Sequence, residues 1–292
     1  NQFGFEIISE RYGERMDIFK KLKKRKTAFI SLIILGILVF LALVGNTILG
    51  IDPFETNSKI RLLAPGMGHI LGTDNLGRDV LARVIYGIRI SLAISLVSVA
   101  FALIVGTAIG TISGYVGGKV DSVLVLIIEA VCAFPTVLLG LLLATVLGSG
   151  MTNIMLAIGI SNVPYFARLA RSMAISIRGR EYIESAVTTG LNHFEIITRY
   201  VLPNMSSVII VQTSLSAASA LITESTLSFM GVGVQPPAAS LGVLLRDGYD
   251  YISKASWLSI FPGIAILLTV IALNFLGDGL RDALDVKIRV DN

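Results

Sequence analysis

R-E-Y-I-E-S-A-V-T-T-G-L-N-H-F-E-I-I-T-R-Y-V-L-P, residues Arg180–Pro203, is a polar, charged stretch set between long apolar runs. Within it Ile183, Val187, Gly190, Leu191, Phe194, Ile197 and Val201 recur at three- and four-residue steps. That is the period of a helix with one apolar face. Gly190 interrupts the period, because glycine is the usual punctuation between two helical pieces. Pro203 is expected to end it, because proline has no N–H to give to a helix ladder. The first piece, 181–189, would be only about 13 Å long at about 1.5 Å per residue. A helix that short, leaving the apolar runs and returning to them, has little reason to stand alone. Its polar face points to a partner protein.

The flanking runs decide the fold class. The chain has 292 residues, 54% hydrophobic and 15% charged, whereas a soluble domain carries about 25% charged residues. Charge-free runs occupy 27–51, 90–118, 130–167, 200–223 and 255–277, and Glu129 and Glu224 interrupt longer apolar stretches. A membrane-spanning helix needs about 20 apolar residues. Six spans are expected, near 28–50, 88–112, 122–147, 152–172, 205–230 and 257–278. The expectation is an all-α membrane protein with six transmembrane helices. It divides into an N-terminal cytoplasmic segment (1–27), the first transmembrane helix (28–50), an external loop (51–87), a core of five helices (88–282) with the short helix at 181–190, and a tail (283–292).

Net charge is +4, but its distribution argues against nucleic acid. With the N-terminus inside, only Lys59, Arg61, Arg78, Arg83, Arg89, Arg246 and Lys254 of the 24 basic residues fall outside. This bias places both termini in the cytoplasm. The basic cluster Lys20–Lys26 abuts the first span and has no aromatic residue interleaved, so it reads as a topology anchor that can touch anionic lipid. The first span is too long for a signal-peptide core and no A-x-A-like site follows it. The one cysteine, Cys132, lies inside the third expected span, so neither an internal disulfide nor a Cys/His metal site is available.

The spacing of Glu184, Ala186, Gly190, Leu202 and Pro203 resembles the E-A-A loop of permease subunits of ABC importers: E-A-A, three residues, G, nine residues, I, one residue, L-P. Ser185 stands at the second motif position and Tyr200 at the isoleucine. In that family the loop is the coupling helix, seated in a groove of the ATPase subunit. Three further strings resemble the peptide-type permeases, the group that handles dipeptides, oligopeptides, glutathione and nickel. They are His69–Leu92, Leu227–Gly242 (Met230 where Leu is usual, Leu241 where Trp is usual) and Asn274–Asp285 after Phe261-Pro262-Gly263 (Val286 where Pro is common). The resemblance as a whole extends over about 20–289.

The resemblance implies a type I ABC importer permease fold in the cytoplasmic, or inner, membrane. It implies a second homologous permease, two ATPase subunits and an extracytoplasmic solute-binding protein as partners. ATP and Mg would sit on the ATPases and no cofactor on this chain. Peptide is the implied solute, with a nickel chelate or glutathione as the alternative.

The residues themselves permit further expectations. Gly72 and Gly77 allow tight turns, and Asp74, Arg78 and Asp79 can pair to stiffen the external loop. Asp121 opens the third span as a first-turn acid. Phe134-Pro135 should kink that span. Glu129 and Glu224 are intramembrane acids, functional candidates by default or else buried polar contacts. Ser214, Ser216 and Ser219, among alanines, either line a polar path or let helices approach closely. So few interior charges suit a weakly binding path, with selectivity mostly in the binding protein, because an unpaired charge is costly to desolvate.

Several classes are excluded. No G-x-x-x-x-G-K-[ST] exists, since Gly118-Lys119 is followed by Val120, so ATP cannot be held in the P-loop manner. No H-E-x-x-H occurs and neither histidine lies in a span. A stand-alone secondary transporter is not among them and stays as the lesser alternative, since it would leave the amphipathic loop without a use and no internal repeat is evident. A purely structural membrane protein leaves the E-A-A spacing unexplained.

Overall fold

A computed structural model describes residues 25–284. Nearly all of the expected segment 1–27 and most of the tail 283–292 lie outside them. Within the described residues regular structure is helical, with two isolated β-bridges, Gly66 to His69 and Thr73 to Asp79. The helices are α1 (Lys26–Leu49, with a π-helical turn at Leu41–Gly45), α2 (Val80–Val116), α3 (Gly118–Cys132) and α4 (Thr136–Leu147). They continue as α5 (Met151–Arg178), α6 (Glu181–Thr188), α7 (His193–Phe229), α8 (Leu241–Tyr249) and α9 (Trp257–Leu284).

Four of these, α1, α2, α7 and α9, are long and apolar enough to cross a membrane. The α3–α4 pair makes a fifth crossing if its halves are taken together, bent by 90° at the break. The kink expected at Phe134-Pro135 is therefore a right-angle turn. Pro135 sits at the N-cap of α4, where a helix has no use for the N–H that proline lacks. α5 is 28 residues long, but its Asn153, Asn162, Pro164, Arg168, Arg171 and Arg178 keep it below the apolarity of the others. Its polarity follows from its place: it is buried against α2 along much of its length.

The α2–α5 contact is the tightest part of the core. Gly106, Gly110 and Gly114 form a stripe along α2. A Cβ there would lie 2.6 Å from the Val163 carbonyl oxygen, 2.1 Å from that of Ala167 and 2.4 Å from that of Arg171, respectively. The two helices thus run in the same direction with backbones in contact, held by dispersion between close surfaces. α7 runs antiparallel to α2, as Ser91 meets Glu224 at one end and Thr111 meets Met205 at the other. α9 returns beside α7, with Gly277 against Ser214 and Leu215. Arg25 pairs with Asp282, so the start of α1 and the end of α9 lie together.

α2 begins at Val80, well before residue 88, because the Asp79 carboxylate caps it by accepting from the Ala82 N–H at 2.9 Å. Pro203 does not end a helix, contrary to the sequence expectation. It lies near the start of the long apolar part of α7, just after a π-helical turn at Ile197–Val201. In that turn the Leu202 N–H donates to the Ile197 carbonyl, five residues back. The widened turn admits the proline ring. Asn204 Nδ2 donates to the Tyr200 carbonyl at 2.6 Å, which satisfies an acceptor within the same turn.

Candidate functional site

The loop at 180–203 is built on two buried residues. Ile183 and Ala186, on one face of α6, are 2% and 6% exposed and pack with Tyr115, Ala170, Ala174, Ile177 and Met205. Glu181, Tyr182, Glu184, Ser185 and Val187 are exposed on the remaining surface. Gly190 has φ +86°, a region that costs a side-chain-bearing residue strain. Its N–H donates to Val187 O at 3.0 Å and closes the turn. Asn192 then starts α7 through a capping box. Its Oδ1 accepts from the Glu195 N–H at 2.8 Å, and Glu195 Oε2 accepts from the Asn192 N–H at 3.2 Å. Leu202 and Pro203 are half-buried at the base of the loop, and Phe194 projects 75% exposed beside α6. The result is a short helix pinned from below, with a preformed outer surface of two carboxylates, Glu181 and Glu184, and three apolar side chains, Tyr182, Val187 and Phe194.

The interior acids fare differently from each other. Glu224 is fully buried. Its carboxylate accepts from Ser228 Oγ at 2.7 Å and from Ser91 Oγ at 2.8 Å. Ser91 Oγ in turn accepts from the Leu241 N–H at 3.1 Å. Glu224 thus knits α2, α7 and the start of α8, and in this conformation faces no open path. Glu129 is exposed on α3 and is not buried within this chain, unlike the buried polar contact that the sequence allowed. Arg171 feels its charge from a distance.

The three serines do not line one face. Ser214 Oγ sits 3.5 Å from the Leu273 carbonyl of α9, Ser216 is buried and accepts from Gln212 Nε2 at 3.1 Å, and Ser219 is exposed. Close helix packing accounts for Ser214, and of the three only Ser219 is open on the surface of this chain.

Glu224→Ala is expected to cost about 2–4 kcal/mol of stability, because it strands two buried hydroxyls and leaves a void. Glu224→Gln, which keeps shape and an acceptor, should cost less than half of that. Thermal melting of the purified protein checks both. An unchanged melting temperature with lost solute binding would instead make Glu224 a solute ligand.

The loop between α1 and α2 is framed in part as the sequence leads one to expect. Gly72 and Gly77 both take positive φ. Arg78 Nε donates to Asp74 Oδ2 at 2.6 Å, and the other Asp74 oxygen accepts from the Leu76 and Arg78 N–H groups at 2.8 and 2.9 Å. Asp79 does not join them. It pairs with His69 Nδ1 at 2.8 Å while capping α2. Buried Arg83, which the sequence reading passed over, lies 3.4 Å from Asp74 and 3.9 Å from Asp247. Burial pushes the Asp247 carboxyl up from its ordinary value, against the opposing pull of Arg83.

Comparison with known proteins shows the family. Residues 106–290 match the family described as the binding-protein-dependent transport system inner membrane component. Residues 15–65 match the N-terminal transmembrane domain of oligopeptide transport permease C. The chain belongs to this family of ABC importer permeases. It is 40% identical over 273 residues to the dipeptide transport system permease protein of Alkalihalophilus pseudofirmus, covering 94% of this chain and 90% of that protein. It is 41% identical over 225 residues to the glutathione transport system permease protein of Pectobacterium atrosepticum, covering 77% and 75%. The inward-facing methionine ABC transporter MetNI superposes with a TM-score of 0.59 at 17% identity, over 70% of this chain and 97% of that one. That likeness is one of fold, the type I permease fold.

Proposed function

We propose that this chain is one of two permease subunits of an ATP-driven importer of di- or oligopeptides. It crosses the inner membrane six times, the bent α3–α4 pair counting as one crossing and α5 as another, with both termini in the cytoplasm. Two ATPase subunits, which hold the ATP and Mg, dock below. A solute-binding protein delivers peptide from above. α6 is the coupling helix. ATP-driven closure of the ATPases moves it, and the spans exchange inward- for outward-facing states, a shift between two conformations biased by nucleotide.

One observation carries this reading: α6 is held rigidly by Ile183 and Ala186 while its acidic and apolar outer face is left open. Peptide as solute follows from the dipeptide relative; the strings at 69–92 and 227–242 are shared with glutathione and nickel permeases and do not separate them. Selectivity resides mostly in the binding protein, because Glu224 is spent on an internal contact and the serines are dispersed. Ser219, exposed on α7, remains the candidate path liner.

The test is reconstitution in nanodiscs with the partner permease, the ATPases and the binding protein. Addition of dipeptide-loaded binding protein should raise ATP hydrolysis and drive peptide uptake. Stimulation by glutathione or a nickel chelate but not by peptide would move the solute assignment to those relatives. No stimulation by any of them would overturn the importer reading.

A further inference from the structure

The coupling-loop end of α2 is gripped from three sides. Arg171 of α5 reaches Asp121 of α3 through Nε at 2.6 Å and Nη2 at 2.7 Å. Ser113 of α2 donates its hydroxyl to the same carboxylate at 2.5 Å. Two turns further along α5, Arg178 Nη1 donates to the Val116 carbonyl at 3.1 Å. From the other side His193, the first residue of α7, meets Tyr115, with 3.2 Å between the phenolic oxygen and Nδ1 and the rings edge to face. Arg171 and Arg178 precede α6, and His193 follows it. Both flanks of the coupling helix are therefore tied to the turn that joins α2 to α3.

Asp121 is the part of this grip that reaches α3 itself. Without it α3 touches the rest of the chain lightly: Ile128 is its one buried residue, and much of its surface is exposed. α3 turns through 90° into α4. There Gly140 packs within 3.3–3.9 Å of Leu227, Ser161 and Thr223 (measured from a Cβ built on the glycine). Movement of α3 would thus bear on α4 and, through it, on the interior around α5 and α7. The Asp121 and Arg171 side chains are 20% and 32% exposed, and pairs that accessible contribute little to folding. A two-point Arg–carboxylate contact with a third donor fixes geometry instead.

We propose that the Asp121–Arg171–Ser113 clasp makes α3 move with the coupling helix, so that Asp121 and Arg171 are positioning residues for transport. This rests on the coupling assignment of α6 made above. The fixed geometry is what transmits displacement. Either partner's loss leaves the ATPase contact intact and lets α3 lag behind.

The test uses the reconstituted complex with Asp121→Asn, Arg171→Lys and the double exchange Asp121→Arg with Arg171→Asp. In the single variants, hydrolysis stimulated by loaded binding protein should persist while solute carried per ATP falls about fivefold or more, the lower range of typical coupling. The exchange should regain much of that ratio. A second readout is the distance distribution between spin labels at Val123→Cys and Thr188→Cys in a Cys132→Ala background. It should be narrow with Asp121 present and broad in Asp121→Asn.

Transport per ATP unchanged in both single variants, or hydrolysis and transport falling together at constant ratio, would overturn the proposal. So would a distance distribution indifferent to Asp121→Asn. The distance measurement needs no stimulated hydrolysis. A complex that fails to respond to any solute would sink the importer reading, and the distance distribution alone would then support or overturn the clasp.

Discussion

Gly110→Val is expected to leave almost no folded protein in the membrane. A Cβ at this position would lie 2.1 Å from the Ala167 carbonyl oxygen and 2.8 Å from its carbonyl carbon. Those are backbone atoms, so no side-chain rotation relieves the clash. α5 cannot tilt away either, since it lies nearly as close at Gly106 and Gly114, one turn to each side. Overpacking in a core costs about 1–3 kcal/mol where side chains can adjust. Forcing two backbones apart should exceed that and consume much of a stability of about 5–15 kcal/mol. Gly110→Ala should show the same sign with a smaller drop. Gly36→Ala on α1, where a Cβ meets nothing within 4 Å, is the neutral control. Yield of monodisperse protein and its melting temperature are the readouts. Normal melting of Gly110→Val would mean that α2 and α5 do not make this contact.

Gly190→Pro should have the largest effect on activity. Proline fixes φ near −65°, whereas Gly190 stands at +86°. It also removes the N–H that bonds Val187 O at 3.0 Å. The turn cannot form, and α6 loses its angle to α7. We expect protein that still folds, because the residue is exposed and open space surrounds it, but with stimulated ATP hydrolysis reduced by about tenfold or more. A factor of ten corresponds to about 1.4 kcal/mol of lost coupling. Gly190→Asn, which tolerates the left-handed region better than other residues, should retain more activity than Gly190→Pro. Full stimulation in an assembled Gly190→Pro complex would contradict the assignment of α6.

What could be read in the sequence and what could not divides along sequence distance. The loop at 180–203 is legible because its signals are local: helical spacing from Ile183 to Val201, a glycine at the break and a fixed interval to Leu202-Pro203. The right-angle turn at Pro135 was announced by the proline, though not its size. Pro203 was misread because a π-helical turn, which has no reliable sequence mark, makes room for it.

Side-chain pairing over long separations was out of reach. Asp121 and Arg171 are 50 residues apart, and Ser91 and Glu224 are 133 apart. Glu129 and Glu224 look alike in an apolar sequence. They differ because one points away from the bundle and the other into the seam between α2 and α7. The Gly106, Gly110, Gly114 spacing was present all along and is the signal that would have located the α2–α5 contact.

The central claim is that α6 touches an ATPase subunit through its outer face, and cross-linking measures that contact directly. A Glu184→Cys variant in a Cys132→Ala background is assembled with an ATPase carrying a single cysteine in its permease-facing groove. We expect rapid, high-yield cross-linking from Glu184→Cys and none from Ile48→Cys, a 67% exposed position at the far end of α1. No cross-link from Glu184→Cys in a complex that is otherwise assembled, or equal yields from both positions, would contradict it.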